Sequence, residues 1–212
     1  METTQLVAQA LLKIGAVGFS PDKPITFKSG ILSPVYVDNR RLIYHPGAWR
    51  VVISAFEAVL NTLDYEIIAG IETAGIPHSS VLAYNMVKPS VFVRKQAKEH
   101  GTKSRIEGGV VEGRRVVLIE DVITTGGSSL SGVDALRADN AHVIDLCAIV
   151  SYQLPEAVSA FAAARVNLHT LTTFSVIIDE ALQIGIFKTG EEAVIRDWLA
   201  SPRDWAERRP NA

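Results

Sequence analysis

Val116-Val117-Leu118-Ile119-Glu120-Asp121-Val122-Ile123-Thr124-Thr125-Gly126-Gly127-Ser128 is the run whose reading decides the fold. An apolar stretch rich in β-branched residues leads into two adjacent carboxylates. A continuous apolar run, rather than an alternating one, marks a strand buried on both faces, as in a parallel sheet covered by helices. Ligands bind such sheets at the carboxyl ends of their strands. The run therefore delivers Glu120 and Asp121 to that edge. A turn of Thr, Gly and Ser then opens into a helix predicted over Thr125–Ala138.

Glycines let backbone N–H groups approach an anion closely, hydroxyls add donors, and a helix N-terminus carries partial positive charge. Val122, Ile123, Thr124, Thr125, Gly126, Gly127 and Ser128 thus form a corner suited to phosphate. The carboxylates beside it repel phosphate but accept hydrogen bonds from sugar hydroxyls. A phosphate and a diol held at one strand–turn–helix corner describe a ribose 5-phosphate. The chain has no G-x-x-x-x-G-K-[ST] loop, no G-x-G-x-x-G fingerprint and no G-x-S-x-G elbow.

Outward from this run the pattern alternates. Helices are predicted over Gln5–Ile14, from Pro46 onward, and over Gly75–Met86, Pro155–Ala164 and Thr173–Gln183. Strands are predicted over Glu66–Ile71, Ser90–Arg94, Arg115–Glu120, His142–Val150 and Asn167–Leu171. The implied fold is α/β, a twisted parallel sheet flanked by helices with right-handed crossovers. Ile25–Asp38, broken by Gly30 and Pro34, reads as a hairpin or irregular β segment, part of a small N-terminal hood over residues 1–45. Residues 190–212, with Trp198 and Trp205, read as a helical tail. Lys95–Gly113 has no helical apolar face, and a long connection of that kind inside a domain is usually functional or disordered.

The 212 residues suit one domain. Net charge is −2, from 21 basic and 23 acidic residues, which argues against nucleic acid held by bulk charge. The lone cysteine, Cys147, lies in an apolar run and reads as a core residue. It can form neither an intrachain disulfide nor a Cys-rich zinc site. No stretch approaches the ~18 apolar residues of a membrane span. The N-terminus lacks the basic region of a signal peptide, so a cytoplasmic protein is the default. His45, His78, His142 and His169 read as structural or surface residues.

The run from Val116 to Ser128 resembles the PRPP-binding motif of type I phosphoribosyltransferases. Three further segments resemble the orotate-specific family in that group. Phe27-Lys28-Ser29-Gly30 with Ser33-Pro34-Val35-Tyr36-Val37-Asp38 resembles its hood. Ile68-Ala69-Gly70-Ile71-Glu72-Thr73-Ala74-Gly75-Ile76-Pro77 resembles its pyrophosphate loop, and Phe92–Gly101 followed by Ile106-Glu107-Gly108 its flexible catalytic loop. Four motifs in order make the likeness specific.

The resemblance implies transfer of a phosphoribosyl group from PRPP to orotate. By it, Glu120 and Asp121 hold the ribose hydroxyls, and Asp121 is counted with the catalytic residues. Arg94, Lys98 and His100, with Lys95 as a further contact, meet the pyrophosphate end, and Glu72, Thr73, Ala74 and Gly75 form the second pyrophosphate contact. Lys28, Thr124 and the backbone near Tyr36 and Val37 are expected at orotate. Mg²⁺ is expected on pyrophosphate and ribose oxygens, with no dedicated protein ligand. A homodimer sharing the catalytic loop between subunits is also implied, with neither nucleic acid nor membrane as partner.

One departure stands out: many relatives carry Asp-Arg-x-Glu-Gly after the strand that here ends at Val150, where this chain has Ser151-Tyr152-Gln153-Leu154-Pro155. Another branch carries a Thr-Tyr-Gly type sequence there. The alternatives are a phosphoribosyltransferase for another base and a non-catalytic PRPP-sensing regulator.

Overall fold

The computed structural model describes residues 2–27, 29–96, 104–187, 190–205 and 207–208. Helix α1 (Thr3–Lys13) precedes two small antiparallel pairs. Strand β1 (Val17–Phe19) pairs with β4 (Val35–Val37), and β2 (Ile25–Thr26) pairs with β3 (Leu32–Ser33). A 3₁₀ helix, Asn39–Tyr44, leads into α2 (Pro46–Leu60), where Pro46 occupies the first turn as its missing N–H permits.

The chain then alternates: β5 (Ile67–Ile71), α3 (Gly75–Met86), β6 (Ser90–Val93), β7 (Ile106–Glu107), β8 (Arg115–Ile123), α4 (Gly127–Ala138), β9 (His142–Ser151), α5 (Pro155–Ala163), β10 (Asn167–Thr173), α6 (Phe174–Gln183) and α7 (Glu191–Ala200). Six strands form one sheet in the order β10-β9-β8-β5-β6-β7. All pairings are parallel except β6 with β7.

The apolar run of β8 is explained by two cores. Val117 and Ile119 enter one, with Ile68, Cys147, Phe56, Phe174 and Trp198. Val116 and Leu118 enter the other, with Ala69, Val133, Leu136 and Phe161. Successive side chains of a strand point to opposite faces, so a sheet covered on both sides needs apolar residues at every position. Cys147 is fully buried, and burial first, then the Asp145 charge, pushes its thiol up to about 12. It behaves as a small apolar core residue.

Two differences from the sequence reading bear on the site. Strand β8 does not stop at Glu120: Glu120 pairs with Ala148 and Val122 with Val150, so the acids lie inside the ladder. The cause is β9, which runs on to Ser151 and offers backbone partners to the longer strand. Within Lys95–Gly113, Ile106 and Glu107 pair antiparallel with Val93 and Phe92, adding an edge strand too short for any periodicity to reveal. The tail carries α7, with Trp198 and Trp205 completely buried. The Trp198 indole donates to the Leu32 carbonyl at 2.8 Å and anchors the tail on β3.

Candidate active site

The site is assembled at the carboxyl ends of β5, β6 and β8. The Glu120 carboxylate is 6% exposed and accepts from the Asp121 N–H at 3.0 Å and the Ser129 hydroxyl at 3.3 Å. Burial, reinforced by the charge of Asp121, raises the Glu120 carboxyl well above the ordinary range. Burial raises Asp121 as well, opposed by its hydrogen bonds and by Arg40. Two carboxylates so placed favour hydroxyl donors, which satisfy them without adding a like charge. The pair supplies only hard oxygen donors, compatible with a magnesium ion carried mainly by substrate oxygens.

The turn that follows is shaped by Gly126, whose φ of +82° is a conformation other residues rarely adopt. A Cβ there would also meet Phe161 at 2.8 Å. Gly126 is the N-cap of α4, and no side chain caps the helix. The first-turn N–H groups therefore stay available to an anion. A cleft of about 390 Å³ opens beside them, lined by Ser29, Ile71, Lys95, Arg105, Val122, Thr124–Ser129 and Ser131. A groove of about 450 Å³ near Glu57, Tyr65, Asn85 and Lys88 is larger, but it lies at the opposite, amino-terminal edge of the sheet.

The pyrophosphate-loop segment lies against the same strand. Gly75 begins α3, and a Cβ on it would collide with the Ile119 carbonyl, so this backbone packs directly before the acids. The Glu72–Thr73 peptide is cis. The Glu72 carboxylate accepts from the Lys95 N–H at 2.7 Å, fixing the entry to the basic loop. Arg94 approaches Glu107 at 3.4 Å. Lys28, Lys98 and His100 lie outside the described residues.

Tyr36 and Val37 lie on β4, and the Tyr36 ring covers Gly18, where a Cβ would clash with it. Tyr152 is buried rather than presented to a substrate. Its ring stacks on Phe174 at 4.8 Å and meets Phe27 at 5.4 Å and Trp198 at 5.7 Å. Its hydroxyl bonds to the Val37 backbone, and burial raises its pKa. His78 is buried with Nδ1 accepting from the Trp49 indole at 2.9 Å, and His169 lies 2.8 Å from Asp145. Three residues at the site were not singled out from sequence: Asn39, Arg105 and Ser129. Spacing carried no signal for Asn39 and Arg105, which are placed by contacts between distant segments, whereas Ser129 lies nine residues beyond Glu120 on the same strand–turn–helix unit.

The sequence profile of the phosphoribosyl transferase domain family matches residues 43–183. An orotate phosphoribosyltransferase of Bacillus caldolyticus is 39% identical over 201 residues, spanning 94% of this chain and 97% of its own. The chain belongs to the orotate phosphoribosyltransferase family. Another family protein, from Cereibacter sphaeroides, is 41% identical over 217 residues, covering 100% of this chain and 93% of its own. The crystal structure of orotate phosphoribosyltransferase from Aeropyrum pernix superposes with a TM-score of 0.74 at 29% identity, covering 86% of this chain and 99% of that one. Membership agrees with the mostly parallel sheet flanked by helices. No helix among the described residues is long and apolar enough to cross a membrane.

Proposed function

We propose that this chain transfers the 5-phosphoribosyl group of PRPP to orotate, giving orotidine 5′-phosphate and pyrophosphate, the phosphoribosyl transfer of pyrimidine nucleotide synthesis. The observation that carries the reading is a buried acidic pair on β8 followed directly by the uncapped helix N-terminus that opens on the cleft, in a chain of this family.

In the reaction a ring nitrogen of orotate bonds to ribose C1 while the C1–O bond to pyrophosphate breaks, its electron pair leaving on the pyrophosphate oxygen. The sugar carbon passes through a cationic, oxocarbenium-like stage. In our reading Glu120 and Asp121 accept hydrogen bonds from the ribose 2- and 3-hydroxyls and fix the sugar. The turn Thr124–Ser128 holds the 5-phosphate. Negative charge grows on pyrophosphate as the bond breaks, so cations there stabilise the transition state more than the ground state. Arg94, Lys95, Lys98 and His100 take that role, with Glu72–Gly75 as the opposing backbone contact. Closure of their loop would exclude water and limit hydrolysis of PRPP.

Lys28, Thr124 and the Tyr36–Val37 backbone form the orotate side of the assignment. Mg²⁺ on the pyrophosphate and ribose oxygens, beside the acidic pair, supplies countercharge when bound. A homodimer sharing the loop between subunits belongs to the same reading. Exposed Ile43 and Tyr44 on the 3₁₀ helix and Val51 on α2 give it apolar surface. The reading places the enzyme in the cytoplasm.

The test is turnover of purified protein with orotate, PRPP and Mg²⁺, followed by loss of orotate absorbance. Turnover with uracil or a purine base and none with orotate would overturn the assignment of the base.

A further inference from the structure

We infer that Arg105 binds the 5-phosphate of PRPP, reaching it from the far arm of the basic loop; this rests on the PRPP reading above. Arg105 is half-buried, and three hydrogen bonds fix its guanidinium. Nε donates to the Arg94 carbonyl at 2.7 Å. Nη1 donates to the Ser131 carbonyl at 3.0 Å and to the Ser131 hydroxyl at 2.9 Å. The backbone pairing of Arg94 N–H with the Arg105 carbonyl, 2.8 Å, holds the base of the side chain. Nη2 has no hydrogen-bond partner among the described residues, and Arg105 joins no ion pair there, whereas Arg94 is opposed by Glu107.

The side chain lines the same cleft as Gly126, Gly127 and Ser128. Its anchor, Ser131, lies one helical turn beyond Gly127 on α4, the helix whose first turn faces that cleft. A phosphomonoester is dianionic, and two carboxylates stand close to it here. Backbone N–H groups bring only partial charge, so a full positive charge on the phosphate side offsets that repulsion. Because its neighbours already hold the fork in place, little side-chain freedom remains to be lost on binding. Lys95 lines the same cleft but is tied through its N–H to Glu72, on the pyrophosphate side.

Calorimetry with two separate probes, ribose 5-phosphate and inorganic pyrophosphate, each with Mg²⁺, tests the assignment. Arg105→Gln should weaken ribose 5-phosphate by about 10- to 100-fold, the range of a charge-assisted hydrogen bond, and change pyrophosphate by less than about twofold. Arg105→Lys, which keeps charge but loses the fork, should fall between; it also serves if the Gln variant folds poorly. Equal weakening of both probes would overturn the proposal in favour of a loop-holding role, and no change in either would make Arg105 a spectator. Wild-type protein that binds ribose 5-phosphate but does not turn over orotate would remove the proposed reaction while leaving the Arg105 contact intact.

Discussion

The Asn39 side-chain amide donates a 2.8 Å hydrogen bond to the backbone carbonyl of Asp121, joining the start of the 3₁₀ helix to the acidic pair across 82 residues of sequence. Asn39 is completely buried, and its Oδ1 has no partner among the described residues. A buried polar side chain kept at that cost is used for placement rather than for stability alone. Asn39→Asp removes the donor and buries a third carboxylate beside Glu120 and Asp121. It should lower stability by about 2–4 kcal/mol and kcat/KM for PRPP by at least about tenfold. Asn39→Ala should cost about 1–3 kcal/mol. Denaturant melts and steady-state kinetics check both; an alanine variant with wild-type kcat/KM for PRPP would remove any part for Asn39 in placing Asp121.

Glu120 illustrates a site that is kept at the expense of the fold. Its carboxyl titrates well above the ordinary range because of burial and the neighbouring Asp121. An acid whose pKa is raised by folding binds more protons folded than unfolded, so its ionisation erodes stability as pH rises from the unfolded value near 4.5 toward the higher folded value. Glu120→Gln removes that loss. The variant should melt higher than wild type at neutral pH, with the difference shrinking below about pH 4.5, and should lose most PRPP-dependent turnover. Thermal melts across pH 4–8 decide it; a variant less stable than wild type at pH 7 contradicts the argument.

His78 carries the opposite sign. Burial lowers its pKa from 6.5 to about 4, and the Trp49 N–H on Nδ1 fixes the neutral ring with its proton on Nε2. The unfolded chain takes up a proton below about pH 6.5 while the folded one does not, so stability falls as pH drops from 6.5 toward 4. The loss approaches roughly 3 kcal/mol when that interval has been crossed. His78→Gln, which keeps an acceptor and has no such titration, should flatten this limb of the stability–pH curve, read from urea midpoints at pH 7 and pH 4.5.

Tyr152 ties β4 to the main core through its hydroxyl on the Val37 backbone, with its ring stacked on Phe174. Tyr152→Phe keeps the ring packing and frees that backbone. Stability should fall by about 1–2 kcal/mol, and KM for orotate should rise about 3- to 10-fold with KM for PRPP nearly unchanged. A rise confined to KM for PRPP would mean that this side of the hood does not serve the base.

The sequence by itself determined the covered parallel sheet, because the apolar run Val116–Ile119 needs burial on both faces and recurs between strands and helices in alternation. It also determined which groups meet at the corner. Glu120, Asp121, Gly126 and Gly127 are neighbours along the chain, so their juxtaposition needs no folding information beyond one strand and one turn. Only the tertiary structure decided which side chains complete that corner. Asn39 reaches Asp121, Arg105 reaches Ser131 and Tyr152 reaches Val37 through contacts between segments 82, 26 and 115 residues apart. Such contacts depend on strand order and on where the hood folds back, which local patterns do not encode. The extent of β8 was decided in the same way: the ladder partner that carries it past the acids is β9, and only the assembled sheet puts that partner in register.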